Sequence, residues 1–88
     1  MKYKVEFLTS AAKEFRKLPQ GMQERVLTIL KILQVDPFSE VLNIRKIRGR
    51  RDLYRVRIGD YRLVYSVEPS SVILVVRVRH RKDGYNLM

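Results

Sequence analysis

Arg55, Arg57, Arg62, Arg77 and Arg79 sit at alternate positions of strand-like runs in the second half of the chain. A guanidinium is planar, permanently charged and carries its donors in a fork that matches a phosphate better than an ammonium does. With a pKa above about 12 it stabilises anions and accepts no proton near neutral pH. His80 is the only histidine, hence the one side chain whose ordinary pKa lies close to neutrality. It is a candidate acid or base, and equally a surface histidine in a basic tail. A chain with one histidine and no cysteine builds no disulfide, no thiolate metal site and no multi-histidine cluster. No cofactor is implied. The chemistry these residues offer is the binding and stabilisation of anions.

The overall charge agrees. Nineteen Lys and Arg against nine Asp and Glu give 88 residues a formal net charge of +10. Residues 1–44 hold seven basic and five acidic side chains, whereas residues 45–88 hold twelve and four, most of the twelve being arginine. Solubility alone does not gather arginine into one half. Partners of dense negative charge are expected: nucleic acid, an anionic membrane surface or an acidic protein.

The elements that must carry these side chains can be read from periodicity. The length and a hydrophobic content of 45% fit one domain, 1–88. Tyr3, Val5 and Phe7 alternate with Lys2, Lys4 and Glu6, as in a half-buried strand and unlike an export signal. The longest apolar-rich stretch, Val26 to Val35, is interrupted by Thr28, Lys31 and Gln34, so no membrane span is expected and the cytoplasm is the default compartment. Thr9 or Ser10 can cap a helix running to about Leu18, with Ala11, Phe15 and Leu18 on one face. Pro19 and Gly21 break it. A second helix is predicted from about Gln20 to Gln34, with Met22, Val26, Ile29, Leu30 and Leu33 at helical spacing, and Asp36-Pro37 ends it. Phe38 to Asn43 reads as loop, with Phe38, Val41 and Leu42 either docking points or ordinary core. A short strand is predicted around Ile44 to Ile47, then strands on either side of the turns Gly59-Asp60 and Pro69-Ser70, then a polar tail from His80. The expected fold is α+β, in the order β-α-α-β-β-β. It is a twisted antiparallel sheet with the N-terminal helical hairpin packed on one face and the other face left for function.

Register arithmetic then sorts the arginines. A turn at Gly59-Asp60 pairs Ile58 with Tyr61, Arg57 with Arg62, Val56 with Leu63 and Arg55 with Val64. Tyr54, Val56, Ile58, Tyr61, Leu63 and Tyr65 fall on the helix-covered face, the tyrosines among them read as core. Arg55, Arg57 and Arg62 fall on the other. A two-residue turn at Pro69-Ser70 puts Arg77 opposite Arg62, with Arg79 at the same strand end. Like charges directly across a ladder destabilise by a few tenths to about 1 kcal/mol per pair. Splayed, solvated guanidiniums are the plain explanation; an anion lying over the face is the functional one. No carboxylate is interleaved on that side, and Asp60 at the turn is the nearest candidate partner.

At this point a family resemblance emerges. The run LYRVRIGDYRLVYSV, Leu53 to Val67, resembles the central hairpin of the RelE/ParE toxin superfamily. The segments KIRG, Lys46 to Gly49, and VRHRKDGY, Val78 to Tyr85, match the same pattern, so the resemblance spans essentially the whole chain. It implies one of two activities. RelE-like members are ribosome-dependent endoribonucleases that cut messenger RNA in the A site, whereas ParE-like members share the fold, poison DNA gyrase and lack the RNA-cutting residues. Carried over position by position, the RNA-cutting surface would comprise Arg55, Arg57, Arg62, Arg81 and Tyr85, with Arg48 binding RNA. All those positions are filled, which favours the RelE-like branch. Two departures stand out. Positions held by lysine in the best-known member are arginine here, so if a basic residue there serves as base in some members this chain must do it otherwise, and the tail stops three residues after Tyr85, so a long C-terminal helix is not expected.

The reaction this implies is metal-independent attack of the RNA 2′-hydroxyl on the adjacent phosphorus, leaving a cyclic phosphate. Arg57, Arg62, Arg81 and Tyr85 are the expected catalytic residues; Arg48, Arg55, Arg77, Arg79 and His80 are expected to bind RNA. Tyr85 has an ordinary alternative as a tyrosine packing the tail on the sheet. The implied partners are the ribosome with its message and a RelB-like antitoxin, acidic and partly disordered before binding. Operator DNA would be reached only through the antitoxin. A gyrase poison, a non-catalytic nucleic-acid-binding module and an inert relative are the competing readings.

Overall fold

A computed structural model describes residues 2–47, 49 and 52–84. The chain runs β1 (Lys4–Phe7), α1 (Thr9–Arg16), α2 (Gln20–Val35), β2 (Ile44–Lys46), β3 (Leu53–Ile58), β4 (Tyr61–Glu68), β5 (Val72–His80) and a single turn of helix, α3 (Arg81–Gly84). The five strands form one sheet in the order β1-β5-β4-β3-β2. The expected α+β layering is present, with one difference in the sheet. β2 to β5 are antiparallel neighbours, but β1 lies parallel to β5, from Lys4↔Val72 to Phe7↔Val75. Parallel neighbours need a long crossover between them, and here everything from α1 to β4 lies between β1 and β5.

The helices cover one face. Ala11, Leu18, Val26, Leu30 and Leu33 meet Val56, Ile58, Leu63, Tyr65, Ile73, Val75 and Val78 in one buried cluster. The predicted helical spacing holds in α2, whose buried residues are Val26, Leu30 and Leu33. The cap of α1 differs from expectation. Leu8 stands at the N-cap with no side-chain hydrogen bond, and Thr9 is already helical. The other end of α1 is closed from α2: Gln23 Nε2 lies 3.1–3.2 Å from the carbonyl oxygens of Phe15, Arg16 and Leu18. These carbonyls belong to the last turn of α1 and the segment leaving it, where a helix runs short of backbone donors, so one amide of α2 ties the hairpin together.

Between β3 and β4 the predicted register holds in all four pairs, Ile58↔Tyr61 through Arg55↔Val64. Gly59 has φ +60, as required at the first position of such a two-residue turn. Between β4 and β5 the register differs. The turn holds three residues, Pro69 to Ser71, because Glu68 pairs with Val72, and a β-bulge between Val64 and Tyr65 adds a second offset of one. Arg79, not Arg77, stands opposite Arg62, and Arg77 stands opposite Val64. Two offsets of one residue restore the alternation, so Arg77 and Arg79 keep to the side of the sheet that carries Arg62.

Tyr65 is fully buried, and its hydroxyl donates to the Pro37 carbonyl across 2.6 Å. This bond fixes the loop leaving α2 to the centre of the sheet. Burial, with Tyr54 and Asp36 nearby, pushes the phenol above its ordinary pKa of 10.0. A neutral phenol is therefore favoured by folding. Its contribution is present in full below the unfolded pKa and is lost as pH rises through and beyond it. Tyr65→Phe is expected to lower stability by about 1–2 kcal/mol by leaving the Pro37 carbonyl unpaired. In urea melts the wild type should lose stability faster than the Phe variant above about pH 10; parallel pH profiles would contradict this.

Candidate nucleic-acid interface

Tyr54-Arg55-Val56-Arg57-Ile58 alternates apolar and basic side chains, and the strand pleat sends them to opposite faces. Val56 and Ile58 are buried under the helices, which fixes the direction of Arg55 and Arg57. On the open face, Arg45, Arg55, Arg57 and Arg62, together with Asn43, line a cleft of about 200 Å³. Arg45 pairs directly with Arg55 across β2 and β3, and Arg57 pairs directly with Arg62 across β3 and β4. Two like-charged cross-strand pairs therefore stand side by side. The Arg55 guanidinium is held below its ordinary pKa first by partial burial, then by Arg62, Arg45 and Arg57. The neighbouring cations add to the effect of burial, so three other guanidiniums crowd this one.

The remaining candidates divide. Arg77 and Arg79 share the strand face with Arg62, but both meet a carboxylate. Glu14 of α1 accepts from Arg79 Nε at 2.6 Å and lies 3.8 Å from Arg77 Nη1. This corrects the expectation that no carboxylate approaches that side; a residue some 65 positions away along the chain supplies it. Arg81 opens α3, its backbone N–H donating to the Asp60 carbonyl at 2.7 Å and its Nε 3.9 Å from Asp60 Oδ1. It is hooked to the β3–β4 turn and does not line the cleft. His80 pairs with Tyr61, which points to the helix side, so alternation sends the imidazole to that side as well. The two rings meet edge to face at 5.1 Å, and His80 Nδ1 accepts from the Lys82 N–H at 3.2 Å. The acid or base candidate is thus turned away from the cleft of Arg45, Arg55, Arg57 and Arg62, and lines with Glu14, Tyr61 and Arg79 a separate cavity at the β5 edge. Arg48 and Tyr85 lie outside the described residues.

Two residues of the cleft escaped the reading of the sequence, Arg45 and Asn43. The predicted strand at Ile44 was the available signal, but the length of the loop to β3 hid which residue faces Arg55. Among the described residues no three of His, Cys, Asp and Glu group as a metal site would require. Phe38 and Val41 are exposed, the Phe38 ring resting edge-on against Tyr54 at 5.1 Å, whereas Leu42 packs on the core. No described helix is long and apolar enough to cross a membrane. A face of convergent guanidiniums over a rigid sheet can hold a phosphodiester and stabilise added charge on its phosphorus.

Comparison with known proteins is consistent across sequence and structure. Residues 5–85 match the family described as the ParE toxin of the type II toxin–antitoxin system, parDE. The chain is 32% identical to the mRNA interferase toxin RelE of Escherichia coli K12, over 98% of this chain and 93% of that one. It is 33% identical to toxin RelG of Mycobacterium tuberculosis, over 97% and 98% of the two chains. Among solved structures, the archaeal RelE–RelB complex of Pyrococcus horikoshii superposes with a TM-score of 0.80 at 34% identity, covering 92% of this chain and 97% of that one.

The crowding makes a prediction with two opposite signs. Arg55→Met should raise thermal stability by a few tenths to about 1 kcal/mol, since it removes a like-charge pair while keeping the aliphatic stem. The same variant should bind single-stranded RNA more weakly, with the slope of log K against log salt flattened by about 0.7 for a lost phosphate contact. A less stable variant with unchanged binding would refute the assignment of this face.

Proposed function

This chain belongs to the RelE/ParE toxin superfamily, and from that premise we propose that it is a RelE-like toxin of a type II toxin–antitoxin pair, cleaving messenger RNA in the ribosomal A site. The observation that carries the reading is the cleft of four arginines on the uncovered face of β2, β3 and β4. Residues 1–88 act as one toxin domain. A relative of full-length similarity named an mRNA interferase supports the same reaction class.

The proposed reaction is attack of a 2′-hydroxyl on the neighbouring phosphorus. A bond forms from O2′ to phosphorus, the bond to the 5′-oxygen breaks, and a cyclic phosphate and a 5′-hydroxyl result. The proton leaves O2′ and one is delivered to the departing oxygen. Arg57 and Arg62, an opposed pair, stabilise the two negative charges of the phosphorane, with Arg55 and Arg45 flanking them. Arg81, anchored at the β3–β4 turn, positions the leaving nucleotide at the end of the cleft, and Tyr85 stacks on a base or assists the hydroxyl. Arg48, Arg77 and Arg79 contact RNA on either side, whereas His80, turned to the helix side, stays off the cleft. The reaction needs no metal or other cofactor.

The proposed partners are the ribosome with its message and a RelB-like antitoxin, because a structural relative is a complex of RelE with RelB. An acidic, partly disordered antitoxin segment would neutralise the arginine cleft directly. Operator DNA is contacted through the antitoxin alone, and the working compartment is the cytoplasm. A gyrase poison of the ParE kind shares the fold, and the matching family carries that name. A cleft whose described lining is four arginines and an asparagine favours RNA.

Expression in a bacterium, with messenger ends mapped on ribosomes, tests the proposal. Cuts should fall within A-site codons; an SOS response without cuts would instead indicate gyrase. Arg62→Ala should slow cutting by roughly 10²–10³-fold, the scale of losing one preorganised charge-stabilising donor. Its thermal melt should stay within a few degrees of wild type, and unfolding would make Arg62 a structural residue.

A further inference from the structure

Asn43 is the residue of the cleft that charge does not explain. A guanidinium carries five N–H donors and no acceptor, and a phosphodiester offers acceptors only. Arg45, Arg55, Arg57 and Arg62 therefore suit the phosphate without help. The carboxamide of Asn43 adds no charge. It adds an acceptor, the only one among the described side chains of the lining. Its placement follows from the fold. Ile44 packs on the core, so alternation turns Asn43 and Arg45 to the cleft. β2 and β3 pair Ile44 with Val56 and Arg45 with Arg55, and the same register carried one residue further sets Asn43 level with Arg57. Arg57 in turn stands opposite Arg62. Gln23 and Gln34 spend their amides on backbone carbonyls, whereas Asn43 is exposed and its amide bonds to no described residue.

An acceptor in that place calls for a donor on the ligand. RNA has two kinds, the 2′-hydroxyl and the N–H groups of the base edges. Size chooses between them. At about 200 Å³ the cleft is smaller than the roughly 300–1,000 Å³ of pockets that enclose a whole small molecule, so it takes a phosphate with its sugar and leaves the base outside. We propose that Asn43 accepts a hydrogen bond from the 2′-hydroxyl next to the phosphate held by Arg57 and Arg62, and so selects RNA over DNA. The selectivity needs no reaction, because the 2′-hydroxyl is the donor that DNA lacks. One consequence rests on the endoribonuclease reading: that hydroxyl is the attacking group, and Asn43 orients it. The amide takes no proton. By holding the hydroxyl hydrogen to one side, it leaves an oxygen lone pair to face phosphorus.

The test uses the full chain with two readouts. In the first, RNA and DNA oligonucleotides of one sequence are titrated off the ribosome, with gels to confirm that the RNA stays intact. The wild type should prefer RNA. Asn43→Ala should reduce that preference by roughly 3–10-fold, the scale of one neutral hydrogen bond, by weakening RNA binding alone. Asn43→Asp keeps an acceptor, so it should keep the preference while its charge weakens binding of both. Each variant alters an exposed side chain and should melt as the wild type does. An unchanged preference in Asn43→Ala, or equal losses for RNA and DNA, would overturn the proposal. So would a change in which base is favoured with the RNA preference intact, the mark of a base reader. In the second readout, single-turnover cutting on programmed ribosomes, Asn43→Ala should slow the reaction by up to roughly 10²-fold, the scale of a misplaced reacting group. If the wild type never cuts but its RNA preference depends on Asn43, the nuclease reading falls and the hydroxyl contact stands. If Asn43→Ala cuts as fast as the wild type with the same RNA preference, the contact falls and the nuclease reading stands.

Discussion

Guanidiniums from neighbouring strands repel one another, and β3 keeps them together because the residues between them are buried. Arg55 and Arg57 are separated by Val56 and followed by Ile58, both almost inaccessible beneath the helices. A slip of one residue would relieve the charge, but it would also expose that apolar set and drive the arginines into the core. Magnitudes decide the outcome. Burying one Val or Ile side chain is worth about 1.5–3 kcal/mol, whereas an opposed like-charge pair costs a few tenths to about 1 kcal/mol. The core wins, and the arginine face follows from it.

The rest of the molecule serves that arrangement from the covered side. α1 and α2 close over the strands, and Gln23 joins their ends so that the hairpin acts as one lid. Tyr65, at the middle of the buried cluster, fastens the segment after α2 through the Pro37 carbonyl. That segment leads to β2 and hence to Arg45, so a bond inside the core sets the outer wall of the cleft. The parallel seat of β1 beside β5 starts α1 where it can reach the open part of the β5 edge. Stability and site geometry thus share the same contacts.

This division also explains what could be read from the sequence. The β3–β4 hairpin was legible to the residue, because a two-residue turn at Gly59-Asp60 leaves one register for an alternating pattern. The β4–β5 pairing was legible only by face. A three-residue turn and the bulge at Val64 and Tyr65 each moved it by one residue, so the partners changed while the sidedness survived. His80 was legible and missed: a residue adjacent to Arg79 in a strand must point the other way. Glu14 was not legible, since its meeting with Val78 and Arg79 depends on how α1 crosses an edge more than sixty residues distant. Local chemistry showed which face is basic. It could not show which carboxylate would reach around the sheet to it.

Among the described residues the side chains lining the cleft are four arginines and an asparagine, none of which exchanges a proton near neutral pH. Such a surface lowers the energy of a charged transition state without supplying a strong acid or base. On the proposed reading, the rate must then come from holding the phosphodiester and its 2′-hydroxyl in line, and a bare strand of RNA meets that geometry only rarely. A substrate already shaped by the ribosome meets it at once. The proposed reading thus implies an enzyme quiet toward free RNA and active where the message is held. On the same proposed reading an acidic antitoxin would suffice to silence it, because what it must cancel is a field and not a single nucleophile.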